Sequence, residues 1–247
     1  MSTVETRLSY KEQFYGKNVL VVGGSRGIGK AVVESFVSLG ARTFYASRNP
    51  AEETTEAIFI KTNLSDENEI IDLFNSIDRH GPLSFLINTA AINYCKTIEE
   101  ITTSEWDEVI NVNLRAAFII CREAALRMKE SGFGRIVNVS SIAGRHRSPV
   151  SGVHYVASKA GLIGLTRQLA FELASHSINV NVICPGQTRT EMLESSMDNA
   201  QIASLERNIP LGRIAEVKDQ VEPIIFLCSD AADYITGSVI DINGGQI

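Results

Sequence analysis

"VVGGSRGIGKAV", residues 21–32, joins the end of an apolar run to the start of a helical pattern. The run NVLVV (18–22) predicts a buried strand, and the spacing of apolar residues after it predicts a helix to about Leu39. The glycines between them permit a tight turn, close approach of a pyrophosphate to the backbone, and packing of the helix on the sheet. Free N–H groups at the helix start then face the phosphates. The segment predicts a dinucleotide-binding turn, although its spacing differs from G-x-G-x-x-G; glycines that only make a turn are the alternative.

The rest of the chain repeats this alternation of strand and helix. Further strands are predicted at ARTFYA (41–46), AIFI (57–60), PLSFLIN (82–88), GRIVNVSS (134–141), INVNVIC (178–184) and GSVIDI (237–242). Helices are predicted near 66–80, 104–130, 153–175 and 216–228. Buried strands separated by helices indicate a parallel sheet with helices on both faces. We predict one doubly wound α/β domain of about seven strands over residues 1–247. Between Ser47 and Ala57 we expect a loop or a single turn, because these residues are too close in the chain for a crossover helix.

Composition excludes several classes of function. Apolar residues make up 44% of the 247, no apolar run approaches the roughly 20 residues of a membrane span, and the net charge is −6. We therefore expect neither a nucleic-acid nor a membrane partner. Residues 1–17 are polar, without the apolar core of a signal peptide, and we interpret them as a short arm of a cytoplasmic protein. No metal is expected, and the four cysteines predict buried free thiols: Cys95, Cys121, Cys184 and Cys228.

The end of the second strand indicates which dinucleotide is bound. A site for NAD usually has an acidic residue about 20 positions after the glycine turn, on the ribose 2′-OH. Here the sequence is YASRNP, with Ser47 and Arg48 and no carboxylate, while Arg26 lies within the turn. Two guanidinium groups suit a 2′-phosphate, so NADP(H) is favoured over NAD(H). The alternative is that Arg48 is simply solvated.

The segment HYVASKAG (154–161) places Tyr155 and Lys159 four residues apart, on one face of a predicted helix. A free tyrosine, with a pKa near 10, is a poor base at neutral pH. Positive charge from Lys159 would favour tyrosinate and lower that pKa. The pair predicts acid–base chemistry, and packing in a core is the alternative.

From about Gly16 to Gln246 the chain resembles the classical short-chain dehydrogenase/reductase family, closest to its ketoacyl reductases. After the glycine turn, the motifs that carry the resemblance occur in order: Asn88-Thr-Ala90, NVNL (111–114), VSS (139–141), Tyr155-x-x-x-Lys159, CPGQTRT (184–190) and INGG (242–245). The resemblance implies a Rossmann fold, a nicotinamide cofactor, and a catalytic set of Asn113, Ser141, Tyr155 and Lys159. Tyr155 would protonate the developing alkoxide and Ser141 would hydrogen-bond it. Lys159 would also hold the nicotinamide ribose, and Asn113 a water.

Alternatives remain for three of these residues. Asn113 could bond backbone within its helix, Ser141 could cap a turn, and Lys159 could be solvated. For the cofactor, the glycine turn and the family motifs together predict contacts from Gly23, Ser25, Arg26, Gly27, Ile28, Gly29, Ser47, Arg48, Asn63, Leu64, Asn88, Ala90, Tyr155, Lys159, Pro185, Gly186, Thr188 and Thr190.

The sequence departs from the family in places. The threonine that the family has before the first glycine is Val22 here, so its help in fixing the turn is lost. Thr89 and Ala91 replace residues of the family's NNAG motif, which puts packing at the adenine side in doubt. The family's aspartate after the third strand is Asn63, which can still accept a bond from the adenine amino group.

Two further segments are expected near the substrate. The basic run GRHRSP (144–149), with Arg145, His146 and Arg147, would attract an anionic group or form a solvated or subunit-contact loop. His154 is left without a role. Residues 188–213 resemble the family's mobile substrate lid, and its candidate lining residues are Met192, Leu193 and Met197.

The sequence thus predicts an NADPH-dependent ketoreductase or alcohol dehydrogenase acting on a small carbonyl or alcohol. A 3-oxoacyl-carrier-protein reductase is one alternative, although Gly132 and His176 stand where that group often has basic residues. A non-catalytic NADP(H) sensor or scaffold is another. The resemblance also implies a homo-oligomer, a tetramer or dimer, packed through the long helices 104–130 and 153–175. The small residues Ala157, Ala160, Gly161 and Gly164 would permit that approach, or pack on the sheet.

Overall fold

All seven predicted strands are present and form one parallel sheet within the residues that the computed structural model describes, 9–52, 56–148, 150–190, 193 and 199–247. The strand order is β3-β2-β1-β4-β5-β6-β7. Because the order reverses between β1 and β4, a crevice opens beyond the carboxyl ends of these strands. The strands are β1 Asn18–Val22, β2 Arg42–Ser47, β3 Ile58–Lys61, β4 Leu83–Asn88, β5 Gly134–Val139, β6 Ile178–Pro185 and β7 Val239–Ile242.

Helices cover both faces of this sheet, as predicted. Side chains of β1 alternate between them: Val19 and Val21 face one hydrophobic cluster, and Leu20 and Val22 face the other. Every residue of β1 is buried, which explains its uninterrupted apolar sequence. The described helices are α1 Tyr10–Phe14, α2 Gly27–Ser38, α3 Glu67–Asp78, α4 Thr103–Ile110, α5 Ala116–Ser131, α6 Val153–Leu173, α7 Asn199–Arg207 and α8 Val217–Cys228.

The amino-terminal arm does more than lead into the domain. From Ser9 onward it contains helix α1, which a capping box between Ser9 and Glu12 starts. Phe14 is completely buried, with its ring centroid 5.2 Å from those of Phe36 and Phe85. Five residues are too few for a helical period to appear in the sequence, so the pattern does not predict this helix.

The long helix predicted at 104–130 is interrupted. Between α4 and α5, residues Asn111–Arg115 form a π-helical turn, which accommodates one more residue per turn than an α-helix. Asn113 lies in this turn and is buried. The interruption therefore coincides with a predicted catalytic residue.

The predicted loop after Ser47 and the predicted lid (188–213) are each described in part. Between Ser47 and Ile58 the described residues contain no helix, and residues 53–55 lie outside the description. Within the predicted lid, helix α7 is described and Leu193 is partly buried, whereas Met192 and Met197 lie outside the described residues. Across the described part of the chain, no helix combines the length and apolar character that a membrane span requires.

Candidate active site

The glycine turn has the crowding that its sequence predicts. Gly23 has a φ of +87° and Gly27 a φ of +54°, both in the left-handed region that favours glycine. An ideal Cβ on Gly23 would lie 2.7 Å from the backbone nitrogen of Ala90, and one on Gly29 would overlap the carbonyl oxygen of Gly23. A side chain at Gly23 would push the turn away from Ala90, which follows β4. A side chain at Gly29 would push helix α2 away from the turn. The glycines are therefore required by geometry.

Helix α2 begins with its N–H groups uncapped. Arg26 is the N-cap residue, its side chain makes no cap hydrogen bond, and the first turn contains no acidic residue. The positive end of the helix thus lies open beside a backbone that leaves room for close approach. This arrangement fits the pyrophosphate of a dinucleotide.

The other predicted cofactor residues gather at the same edge of the sheet. Each group follows the carboxyl end of a strand, and in a parallel sheet these ends lie together. Ser47 ends β2 and Arg48 follows it, with Arg26 and Arg48 exposed; Asn63 and Leu64 follow β3. Asn88 and Ala90 lie at the end of β4, and Pro185, Gly186, Thr188 and Thr190 at and beyond the end of β6.

Asn63 keeps an acceptor at the adenine side. Its Oδ1 accepts a hydrogen bond of 3.1 Å from the backbone N–H of Ser65, and this oxygen has a second lone pair. Its own backbone N–H donates to Glu69 at 2.7 Å. These two hydrogen bonds fix the turn after β3, and Oδ1 keeps a lone pair that could accept a bond from an adenine amino group.

Ser141 and Tyr155 meet, as predicted. Ser141 caps a 3₁₀ turn (Ile142–Gly144), with its hydroxyl accepting from the backbone N–H of Ala143 at 3.1 Å. Its side chain also lies close enough to Tyr155 to lower the pKa of the phenol. The turn cap considered as an alternative is therefore confirmed, and the catalytic role of this serine stays a prediction.

The electrostatics of Tyr155 correct the expectation from sequence. Burial raises the pKa of the phenol, and nearby Ser141 offsets only part of that increase. Lys159 is 1% exposed, and its Nζ lies 5.7 Å from the centroid of the tyrosine ring and donates to the carbonyl oxygen of Val139 at 2.8 Å. Burial also lowers the pKa of Lys159 to about 8. The pKa of the phenol is thus raised where the sequence predicted that the lysine would lower it.

Asn113 acts as a junction between three elements. Its Oδ1 accepts from the backbone N–H of Ile92 at 2.8 Å, and its Nδ2 donates to the carbonyl of Ile92 at 2.9 Å and to Ser158 Oγ at 3.1 Å. The side chain does bond backbone, but in the loop after β4, outside its own helix. Both amide donors are used, whereas Oδ1 keeps a second lone pair, so the water-holding role of this residue stays a prediction.

A buried glutamine behind Thr188 adds a residue that the motifs do not predict. Gln220 on α8 is 0% exposed, and its Nε2 donates to Thr188 Oγ1 and to the carbonyl of Ile242, both at 3.2 Å. Thr188 in turn pairs with Ala215 in a parallel bridge. The sequence does contain a signal for this residue, since Gln220 occupies the apolar face of a helix, one residue before the buried Val221.

Around the site mouth the structure places two residues whose role the sequence left open and corrects one expectation. His154 is fully buried, and its Nδ1 accepts from the backbone N–H of Tyr155 at 2.8 Å. Arg145 pairs with Asp241 at 3.0 Å, which neutralises part of the basic run. Cys95 is exposed because it lies in the loop after β4, where its thiol donates to the carbonyl of Val150. The other three cysteines are free and buried, as predicted.

Comparison with known proteins agrees with this geometry. A family model described as enoyl-(acyl carrier protein) reductase matches residues 22–246. An acetoacetyl-CoA reductase from Rhizobium meliloti is 38% identical over 92% of this chain and 97% of its own length. The chain belongs to the short-chain dehydrogenase/reductase family. It is therefore an oxidoreductase, as the sequence motifs implied.

Two other members of the family extend the comparison. A 3-oxoacyl-[acyl-carrier-protein] reductase from Haemophilus influenzae is 35% identical over 93% of this chain and 98% of its own length. The crystal structure of a short-chain dehydrogenase from Leptospira borgpetersenii with bound NAD⁺ is 29% identical and covers 100% of this chain and 98% of its own, with a TM-score of 0.91. The strand order and the crevice are thus those of a family member that holds a nicotinamide dinucleotide.

The ionisation of Lys159 predicts how stability depends on pH. Folding lowers its pKa from 10.5 to about 8, so between these pH values Lys159 is protonated in the unfolded chain and neutral in the folded one. The free energy of unfolding therefore rises as pH rises from about 8 to 10.5, and this gain is lost as pH falls back to about 8. Urea unfolding of wild type and Lys159→Met from pH 7 to 10 is expected to show the wild type gaining up to about 1.4 kcal/mol per pH unit relative to the variant. Parallel curves would contradict the burial argument.

Proposed function

We propose that the protein is an NADPH-dependent ketoreductase that converts a carbonyl group into a secondary alcohol, or the reverse. The observation that carries this proposal is the position of Lys159, whose Nζ lies 5.7 Å from the centroid of the partly buried Tyr155 ring, together with a Ser141 side chain close enough to lower the pKa of that phenol. The two hydroxyls can serve one carbonyl oxygen: Ser141 donates a hydrogen bond, and Tyr155 gives its proton as negative charge develops. When bound, the reduced nicotinamide would supply the hydride.

Tyr155 holds the proton that reduction consumes. Burial raises the pKa of the phenol, so it is protonated at neutral pH, and the strongly basic alkoxide that forms as hydride arrives is what takes this proton. Lys159 has three N–H donors, of which Val139 accepts one. The remaining donors are available to ribose hydroxyls, the role that the family resemblance implies.

The substrate class that we propose is a 3-oxoacyl thioester. Support comes from the two relatives, one named for acetoacetyl-CoA and the other for a 3-oxoacyl carrier protein. The structure favours the free thioester over the carrier-bound one. Members that act on a carrier protein often have basic residues at two positions that correspond to Gly132 and His176 here. Gly132 caps the end of α5 and His176 ends the turn after α6, so this chain lacks that basic pair.

Turnover tests this assignment. Wild-type protein is expected to oxidise NADPH in the presence of acetoacetyl-CoA, and Tyr155→Phe to lower kcat by at least about a hundredfold because the proton donor is lost. The Kd for NADPH, measured by fluorescence titration, should change little in this variant. Comparable turnover by Tyr155→Phe would remove the tyrosine from the mechanism. Tight NADPH binding without turnover of any carbonyl would instead favour the sensor function.

The preference for NADPH is proposed from charge. Arg26 and Arg48 are exposed guanidinium groups next to the glycine turn and the end of β2. The sequence YASRNP (45–50) at the end of β2 contains no carboxylate of the kind that NAD sites use on the ribose 2′-OH. A 2′-phosphate would gain charge-assisted hydrogen bonds from both arginines.

Removing one of these arginines should alter cofactor selectivity. Arg48→Ala is expected to raise the KM for NADPH about tenfold, the loss of a hydrogen bond to a charged group, and to leave the KM for NADH nearly unchanged. Arg79→Ala is a matched control, since Arg79 is an exposed arginine after α3 at the opposite edge of the sheet. Equal effects of Arg48→Ala on both cofactors would disprove the 2′-phosphate contact.

We also propose that the protein self-associates through α6. Ala157, Ala160 and Gly164 are exposed, and the large side chain of Phe171 on the same helix is 82% exposed. Only Gly161 of the predicted small residues packs internally, where a Cβ would press on Leu114. The exposed small residues support close approach by the same helix of a second copy.

The mass in solution tests this association. Wild type is expected to have a multiple of the 27.0 kDa chain mass in light scattering. An ideal Cβ on Gly164 meets nothing within 4 Å in the chain itself, so Gly164→Arg should fold but dissociate, while Gly164→Ala should remain associated. A wild-type mass of one chain would refute the proposal.

A further inference from the structure

The glycine turn is held by a hydroxyl that comes from an unexpected side. The family's threonine before the first glycine is Val22 here, which predicts a turn with one hydrogen bond fewer. In the structure, Thr89 Oγ1 donates to the carbonyl oxygen of Val22 at 2.8 Å and lies 3.2 Å from that of Gly23. Thr89, itself a departure from the family's NNAG motif, therefore supplies the turn with a hydroxyl from β4, whereas the side chain of Val22 packs in the core.

Thr89 is positioned for this by the sheet. Asn88, the last residue of β4, pairs with Val22, the last residue of β1. The next backbone N–H, that of Thr89, donates to the Val22 carbonyl at 2.9 Å, so backbone and side chain of Thr89 bind the same oxygen. On the other side, the N–H of Gly23 donates to the carbonyl of Ala46 on β2. The first glycine is thus fixed from both neighbouring strands.

The same hydroxyl also lies where the first and third glycines come together. An ideal Cβ would lie 2.8 Å from Thr89 Oγ1 if built on Gly23, and 2.6 Å if built on Gly29. Oγ1 therefore occupies the space that the two glycines leave between the turn, helix α2 and the exit of β4. It connects the position of the helix start to that of β4.

We propose that Thr89 is a positioning residue for the dinucleotide, acting through the carbonyls of Val22 and Gly23. By holding these carbonyls toward β4, it fixes the direction in which the N–H groups of the turn and of the first turn of α2 face the pyrophosphate. This inference rests on the proposed function, since it requires that the crevice binds NADPH.

Removing only the hydroxyl tests the proposal. Thr89→Val keeps the shape of the side chain and is expected to raise the Kd for NADPH about five- to tenfold, the effect of one lost hydrogen bond. The Kd for 2′-phospho-ADP-ribose, which lacks nicotinamide, should rise by the same factor, and kcat at saturating NADPH should stay within about twofold. Thr89→Ser keeps a hydroxyl and should restore both Kd values to within about twofold of wild type.

A matched control separates positioning from stability. Thr43 on β2 is also buried, and its hydroxyl donates to the carbonyl of Ala41 at 3.3 Å, far from the crevice. Thr43→Val should lower the Tm about as much as Thr89→Val without raising either Kd. Unchanged Kd values in Thr89→Val, or Thr89→Ser binding as weakly as Thr89→Val, would overturn the inference. Wild-type protein that binds neither NADPH nor NADH would overturn the proposed function itself, so the two failures are distinguishable.

Discussion

The contact between the start of helix α2 and the end of β1 is the constraint on which the rest of the site depends. At Gly29 there is no room for a side chain beside the Gly23 carbonyl, and at Gly23 there is none beside Ala90. Close packing of this kind tolerates little displacement. It brings an uncapped helix end to the point where the strand order reverses, and every residue group of the crevice is arranged around that point.

Burial determines the chemistry at the other end of the crevice. Lys159 is buried and Tyr155 partly so, and desolvation disfavours the charged form of each, so the pKa of the phenol is raised and that of the ammonium is lowered. The hydrogen bond from Lys159 to the Val139 carbonyl fixes the ammonium beside the phenol. At neutral pH the tyrosine therefore holds its proton until a stronger base forms next to it.

Much of this could be predicted because it depends on local pattern. Each strand is a short apolar run, and the spacing of Tyr155 and Lys159 places them on one helical face. The features that escaped depend on contacts far apart in the chain. The π turn at Asn113 is coupled to Ile92, Gln220 meets Thr188 across the fold, and the pKa of Tyr155 depends on how deeply the side chain is buried. Apolar periodicity places Gln220 on a buried helical face, but it names no partner for Gln220 and carries no information about the other two features.

The π turn also separates the requirements of folding from those of the site. A turn of this type is a one-residue insertion in an α-helix. Loss of one residue between Asn111 and Arg115 would let α4 and α5 continue as one α-helix. The same loss would rotate the amide of Asn113 away from Ile92 and Ser158, to which it is hydrogen-bonded. A deletion at this point of the chain would thus change the geometry of the crevice, and the buried polar groups that it leaves unpaired would lower the stability as well.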